Sequence, residues 1–144
     1  MTKIIKKPLS ILLAALMIVS LFAVVPITAS AETKPWTDNI TTGGEYTCPS
    51  TLSRNTIVSG GTEENPVIIN ITGQTTVQAP IYLRSGYLKI VGNNNTVEAN
   101  RGFVLFTGSG SYKPNGDAHL TITDLSFSST NASNQYIQIN SQNY

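Results

Sequence analysis

From about Tyr46 onward the chain is written in short alternating runs. Apolar and polar residues trade places over a few positions, as in "LKI" (88–90), "TVEA" (96–99) and "LTI" (120–122), and Gly, Asn, Ser or Pro interrupts each run. A period of two puts successive side chains on opposite faces of a strand. No apolar spacing of helical period persists for three turns, so the expected class is all-β. Strands are predicted near residues 56–58, 67–71, 75–79, 81–83, 87–90, 96–99, 102–106, 119–122, 125–128 and 136–139. Residues 32–44, "ETKPWTDNITTGG", show no clear period, and 32–50 is expected to serve as an N-terminal lead-in or cap.

The spacing of the inward positions repeats. Ile69, Val77 and Ile81 recur as Ile90, Val97 and Phe103, at offsets of 21, 20 and 22, and again as Ile122, Phe127 and Ile137. The longer last step is accounted for by "GSGSYKPNGD" (108–117), whose Gly, Pro and Ser content predicts a loop inserted between two strands. A repeat of about twenty residues with three short strands per copy is a solenoid pattern. One circuit cannot bury its apolar side alone, but stacked circuits share a continuous core. Each buried Val, Leu or Ile then contributes roughly 1.5–3 kcal/mol. Leu88, Ile90, Leu120 and Ile122 are expected inside, with Lys89 and Thr121 outside. The expected architecture is a parallel β-helix of about four short circuits within 51–144. An antiparallel β-sandwich, which also spaces short strands by about eight to twelve residues, is the alternative. The hairpin-type pair Asn115-Gly116 lies in the inserted loop rather than between the triplets, which weighs toward the coil.

The runs "YLKIVGNNNTVEA" (87–99) and "HLTITDLSFSS" (119–129) resemble rungs of right-handed parallel β-helix proteins, the pectate-lyase-like superfamily of exported bacterial proteins. The resemblance covers about 56–139 and implies a right-handed coil. In such proteins a polar residue, often Asn, stacks at the turn between the second and third strands of a circuit. Here those turns read "TGQ" (72–74), "VGNNN" (91–95) and "TD" (123–124), so only one carries Asn, a departure from a continuous asparagine ladder. Enzymes of the superfamily work through clustered Asp residues, or through Ca²⁺-binding acids with a basic residue.

The first thirty-one residues belong to a different kind of segment. Lys3, Lys6 and Lys7 precede an almost unbroken apolar run to Val25, Pro26 ends it, and Ala29-Ser30-Ala31 supplies a small-x-small cleavage site. This order is that of a secretory signal, expected to be cut after Ala31, with Ala29 and Ala31 as the recognised positions. Its style resembles the signals of Gram-positive gut-type bacteria, and the expected location is secreted or at the cell surface. The remaining 113 residues keep all eight Asp and Glu but six of nine Lys and Arg, a formal charge of −2. That balance gives no nucleic-acid footprint, and membrane contact is expected only through the uncleaved signal. Cys48 is the only cysteine, so no intramolecular disulfide can form and packing must hold the fold. A small buried apolar role fits it best.

Catalytic chemistry is hard to find in the pattern. Glycoside hydrolysis needs two carboxyls about 5–10 Å apart, and stacked acids one rung apart would mark such a site or a Ca²⁺ site. Glu63, Glu64, Glu98, Asp117 and Asp124 are scattered over loops, turns and one outward strand position, with Ser128 near the place matching Glu98. His119 is the only histidine and reads as a strand-edge surface residue, and no metal or cofactor site is expected. Gly108-Ser109-Gly110 lacks the Lys-Ser/Thr and helix of a phosphate loop. Trp36 is expected to cap an open apolar end. Aromatics offer the one lead to a ligand: Tyr82, Tyr87, Phe106, Tyr112 and Tyr136 are read at outward or loop positions, and Tyr82, Phe106 and Tyr136 are expected to form an outward stripe able to stack on sugar rings.

These readings point to an exported, non-catalytic β-helix module for cell-surface structure or adhesion, with polysaccharide or cell-surface components as candidate partners. The alternative is the N-terminal portion of a polysaccharide lyase or glycoside hydrolase whose catalytic rungs lie beyond Tyr144. The ending "NQYIQINSQNY" reads as a strand that stops without a cap, which favours a longer protein.

Overall fold

The computed structural model describes residues 32–99, 102–106, 109–129 and 136–139. Ten strands follow one another: β1 (Asn39–Ile40), β2 (Gly44–Thr47), β3 (Thr51–Leu52), β4 (Thr56–Gly60), β5 (Val67–Asn70), β6 (Thr75–Val77), β7 (Ile81–Ala99), β8 (Val104–Phe106), β9 (Ala118–Ser128) and β10 (Ile137–Ile139). The residues on which the leader and the chain's last turn were placed lie outside the described residues.

Each strand pairs with the strand one circuit away, and each of these pairings is parallel. A first row stacks β1, β4, the start of β7, β8 and β10. A second stacks β2, β5, the middle of β7 and the first half of β9. The third stacks β3, β6, the end of β7 and the second half of β9. The result is a curled, solenoid-like parallel sheet. Leu88–Ile90 pairs with β5 and β9 rather than folding back on Thr96–Ala99, so the antiparallel sandwich is excluded for the described residues.

Local chemistry sets the corners. Gly86 ends the first stretch of β7 at φ +86° and pairs with Gly60. A Cβ on Gly86 would sit 2.1 Å from the Gly60 carbonyl oxygen, and one on Gly60 2.1 Å from the Thr41 carbonyl oxygen on the rung before, so each rung closes on the last only because these positions lack a Cβ. At the next corner Asn93 and Asn94 hold φ of 50° and 60°, a region where Asn is better tolerated than most residues. The Asn95 amide donates to the Ile71 carbonyl at 2.9 Å and to that of Gly92 at 3.0 Å, tying this turn to the rung before it. Asp124 takes φ 52° in the next turn along. The run of three asparagines is thus a structural turn, as its place between two alternating triplets implied.

The core is a set of ladders. Tyr46, Ile69, Ile90 and Ile122 pair in register along the second row, and the first three are buried. Leu120, Ile122, Leu125 and Phe127 of β9 are only partly buried against the same cluster, as is Trp36.

Two details differ from the pattern. β1, β2 and β3 add a circuit that alternation did not predict. β1 and β3 are two residues long with one inward side chain each, Ile40 and Leu52, too short to show a period. The register also slips: Val77 pairs with Ala99, and Val97 with Thr75. Inward positions two residues apart are equivalent in a strand, so alternation alone cannot separate these registers. Ile81 pairs with Val104, one residue beyond the expected Phe103, and Val104 pairs with Ile137. Phe103 precedes the strand, accepts the Ile81 amide on its carbonyl at 2.8 Å, and is as buried as Val104.

Candidate functional site

The outer side of the second row carries the densest group of side chains with chemistry. Parallel pairing sets Tyr87 opposite His119 and Lys89 opposite Thr121. Neighbouring strands lie about 4.7–4.9 Å apart, close to ring-stacking distance. The Tyr87 and His119 rings accordingly stack, with centroids 4.1 Å apart and planes inclined by 10°. Val67 pairs with Leu88, so Pro66 falls one rung before Tyr87 in the same column. Lys89 and Thr121 are exposed beside these rings. Glu63 approaches from the connection between β4 and β5. Glu63, Pro66, Tyr87, Lys89, His119 and Thr121 together line a groove of about 690 Å³, within the size range of small-ligand sites.

The inserted loop is fastened beside this groove. Its described part, 109–117, contains one 3₁₀ turn, Gly110–Tyr112. The Tyr112 ring lies over Tyr82 at 4.3 Å. Arg84 Nε donates to the Lys113 carbonyl at 2.8 Å, the Asn115 amide donates to the Arg84 carbonyl at 3.1 Å, and the Gly86 amide donates to the Asp117 carbonyl at 2.7 Å. That last bond delivers the chain to Ala118 in register with Gly86, and so places His119 on Tyr87. The sequence located the loop. Its docking on β7 combines the Tyr112–Tyr82 ring contact and the Arg84 side chain with backbone bonds, and was not legible.

The three aromatics expected to form an outward stripe are not brought together. Tyr82 is half-buried beneath Tyr112 and pairs with Leu105, which pairs with Gln138. Phe106 packs against the core. Tyr136 also packs against it and stacks on Phe127 at 4.8 Å. Ala29 and Ala31 lie outside the described residues. The pair that does stack outward, Tyr87 and His119, was open to discovery: each stands one residue before the matching leucines Leu88 and Leu120. They open the two runs already matched as rungs, 87–99 and 119–129, so their pairing was legible, and what the sequence did not show was that the two rings stack.

The carboxylates remain dispersed. Glu98 pairs with Thr76 on one side and Ser128 on the other, and Glu45 with Ile68. The Asn70 amide donates to Glu45 Oε2 at 3.3 Å. Among the described residues no two acids occupy paired positions, and no three His, Cys, Asp or Glu come together as a metal group. Cys48 is buried, and burial pushes its thiol pKa up to about 12 against a smaller opposing effect of the Thr75 hydrogen bond. At neutral pH it is an un-ionised thiol, a poor nucleophile and a poor metal ligand.

No family model, no curated protein and no solved structure matches the chain. The resemblance to β-helix proteins therefore rests on the rung pattern and the parallel register alone.

Proposed function

We propose that the chain is an exported, non-catalytic right-handed parallel β-helix module that serves cell-surface structure or adhesion and holds glycan on its outer side. The supporting observation is the composition of the outward columns. Thr51, Thr76, Glu98 and Ser128 follow one another along one row, and Thr47, Asn70, Val91 and Thr123 along another. The first column carries a hydroxyl on three of its four rungs and one carboxylate, and the second a hydroxyl or amide on three of four, with Val91 between. Such faces suit contact with hydroxyl-rich polymers, and they lack the paired acids that cleavage of a glycosidic bond needs. The test exports the chain from a bacterial host, identifies its N-terminus by mass spectrometry, and incubates it with whole cells and with isolated wall polysaccharide. Sedimentation with either, with no reducing or unsaturated ends released above a blank, is the expected result. Release of such ends would replace this reading with the enzymatic one, and sedimentation with neither would remove it.

A further inference from the structure

We infer that the groove over the second row, built on the stacked Tyr87 and His119 rings, is a binding site for a neutral, polyhydroxylated glycan chain. The inference rests on the glycan-holding reading above and assigns it a place and a ligand class.

Three observations carry it. First, the Tyr87 and His119 rings stack on each other in column with Pro66, and all three residues line the groove. Second, the flanking groups are of mixed kind. Lys89 supplies a cationic donor, Glu63 an acceptor of opposite charge, and Thr121 a hydroxyl that both donates and accepts. A polyanion would meet the Glu63 carboxylate, and a polycation the Lys89 ammonium. A chain of neutral hydroxyls can accept from Lys89 and donate to Glu63 at once, so the lining favours an uncharged ligand. Third, three separate segments build the walls: the β4–β5 connection, β7 and β9. Both strands are held in register by pairing that continues through Lys89 and Thr121 to Ile90 and Ile122, and β9 is further fixed at its start by the bond from the Gly86 amide to the Asp117 carbonyl. Two of the three walls are therefore paired strand and need little ordering when a ligand arrives, which keeps the cost of binding low. Ring stacking that merely stiffened the sheet would account for Tyr87 and His119. It would give no reason for a cation and a carboxylate to line the same groove.

Affinity electrophoresis in native gels provides the test, with hydroxyethylcellulose and galactomannan as neutral polymers and polygalacturonate as the acidic one. The expected result is retardation by at least one neutral polymer. That retardation should weaken at least about tenfold in apparent affinity, the change that 1.4 kcal/mol makes, in both Tyr87→Ala and Lys89→Ala. Lys89 is exposed, so its variant probes the groove without disturbing the core, and unchanged circular dichroism checks that both variants fold. Arg54→Ala, which removes an exposed cation paired with Asp38 and outside the groove lining, should bind as the parent does. Retardation by polygalacturonate alone overturns the ligand class, and neutral-polymer binding unaffected by both groove variants overturns the site. In either case sedimentation with cells survives, so the adhesive reading stands. No retardation by any polymer overturns the inference, and loss of sedimentation as well takes the adhesive reading with it.

Discussion

Ile90 and Ile122 occupy the same column one rung apart, which makes them a direct test of the stacked core. Ile90 is fully buried, with Ile69 on the rung before it and Ile122 on the rung after. Ile90→Ala removes three carbons, roughly 2.4 kcal/mol at about 0.8 kcal/mol for each buried methylene. Neighbours on both sides are held by backbone pairing and cannot collapse into the space, so a cavity cost is added and the total comes to about 3–4 kcal/mol. Ile122 is half-buried. The same substitution there removes about half as much buried surface and leaves little enclosed cavity, for a loss of about 1–1.5 kcal/mol. Domains of this size hold about 5–15 kcal/mol, so both variants should fold. Urea unfolding followed by the fluorescence of Trp36, the lone tryptophan and itself packed against the cluster, reads both losses. The midpoint of Ile90→Ala should fall two to three times as far as that of Ile122→Ala, a ratio taken from the two estimates above. Equal losses, or a larger one at Ile122, would refute a core graded from inner to outer rungs.

Thr56 is fully buried and its hydroxyl has no partner. Thr56→Val keeps the shape and removes an unsatisfied group, so the urea midpoint should rise by about 1 kcal/mol of stability, and a fall would mean the hydroxyl is satisfied. At Gly86, φ +86° and the 2.1 Å approach to the Gly60 carbonyl make Gly86→Ala costly by more than about 2 kcal/mol, read as a drop in thermal midpoint. Asn95→Ala should cost about 1 kcal/mol by removing the side-chain donor to the Gly92 carbonyl and leaving the Ile71 carbonyl only the longer bond from Asn93, with Asn95→Asp no better. Cys48 has a folded pKa of about 12 against an ordinary 9.0. The unfolded thiol therefore loses its proton first, and stability that is intact below pH 9 should fall by up to about 1.4 kcal/mol per pH unit toward pH 12. Cys48→Ala should flatten that part of the pH profile, and the native thiol should react with a disulfide reagent only as fast as the chain opens.

Much of the fold was legible because each rung repeats one instruction. Alternating triplets such as Leu88–Ile90 and Leu120–Ile122 state which side is inward, and a strand that pairs in parallel one circuit later must repeat the statement. The inserted loop declared itself by composition. What alternation cannot carry is register to the residue, since Val97 against Thr75 and Val97 against Val77 place the same faces inward. Nor can it reveal strands of two residues. Ile40 and Leu52 are deeply buried, yet each is a single apolar letter among polar ones.

A one-residue difference in register is what grouped the expected stripe. An outward column is a set of residues sharing a register position, so a small slip assembles the wrong set. Taking Phe103 rather than Val104 as the partner of Ile81 let Tyr82, Phe106 and Tyr136 look like one stripe. The pairing actually sets Tyr82 with Leu105 and Gln138, and turns Phe106 and Tyr136 toward the core. Along the second row the leucines Leu88 and Leu120 fix the register without ambiguity, and the residues before them are the ones whose rings stack. In a solenoid whose outer columns are built one residue per rung, inward ladders with a single solution are therefore the places from which surface chemistry can be read. Here that ladder runs beneath the groove where Tyr87 and His119 meet Lys89 and Glu63.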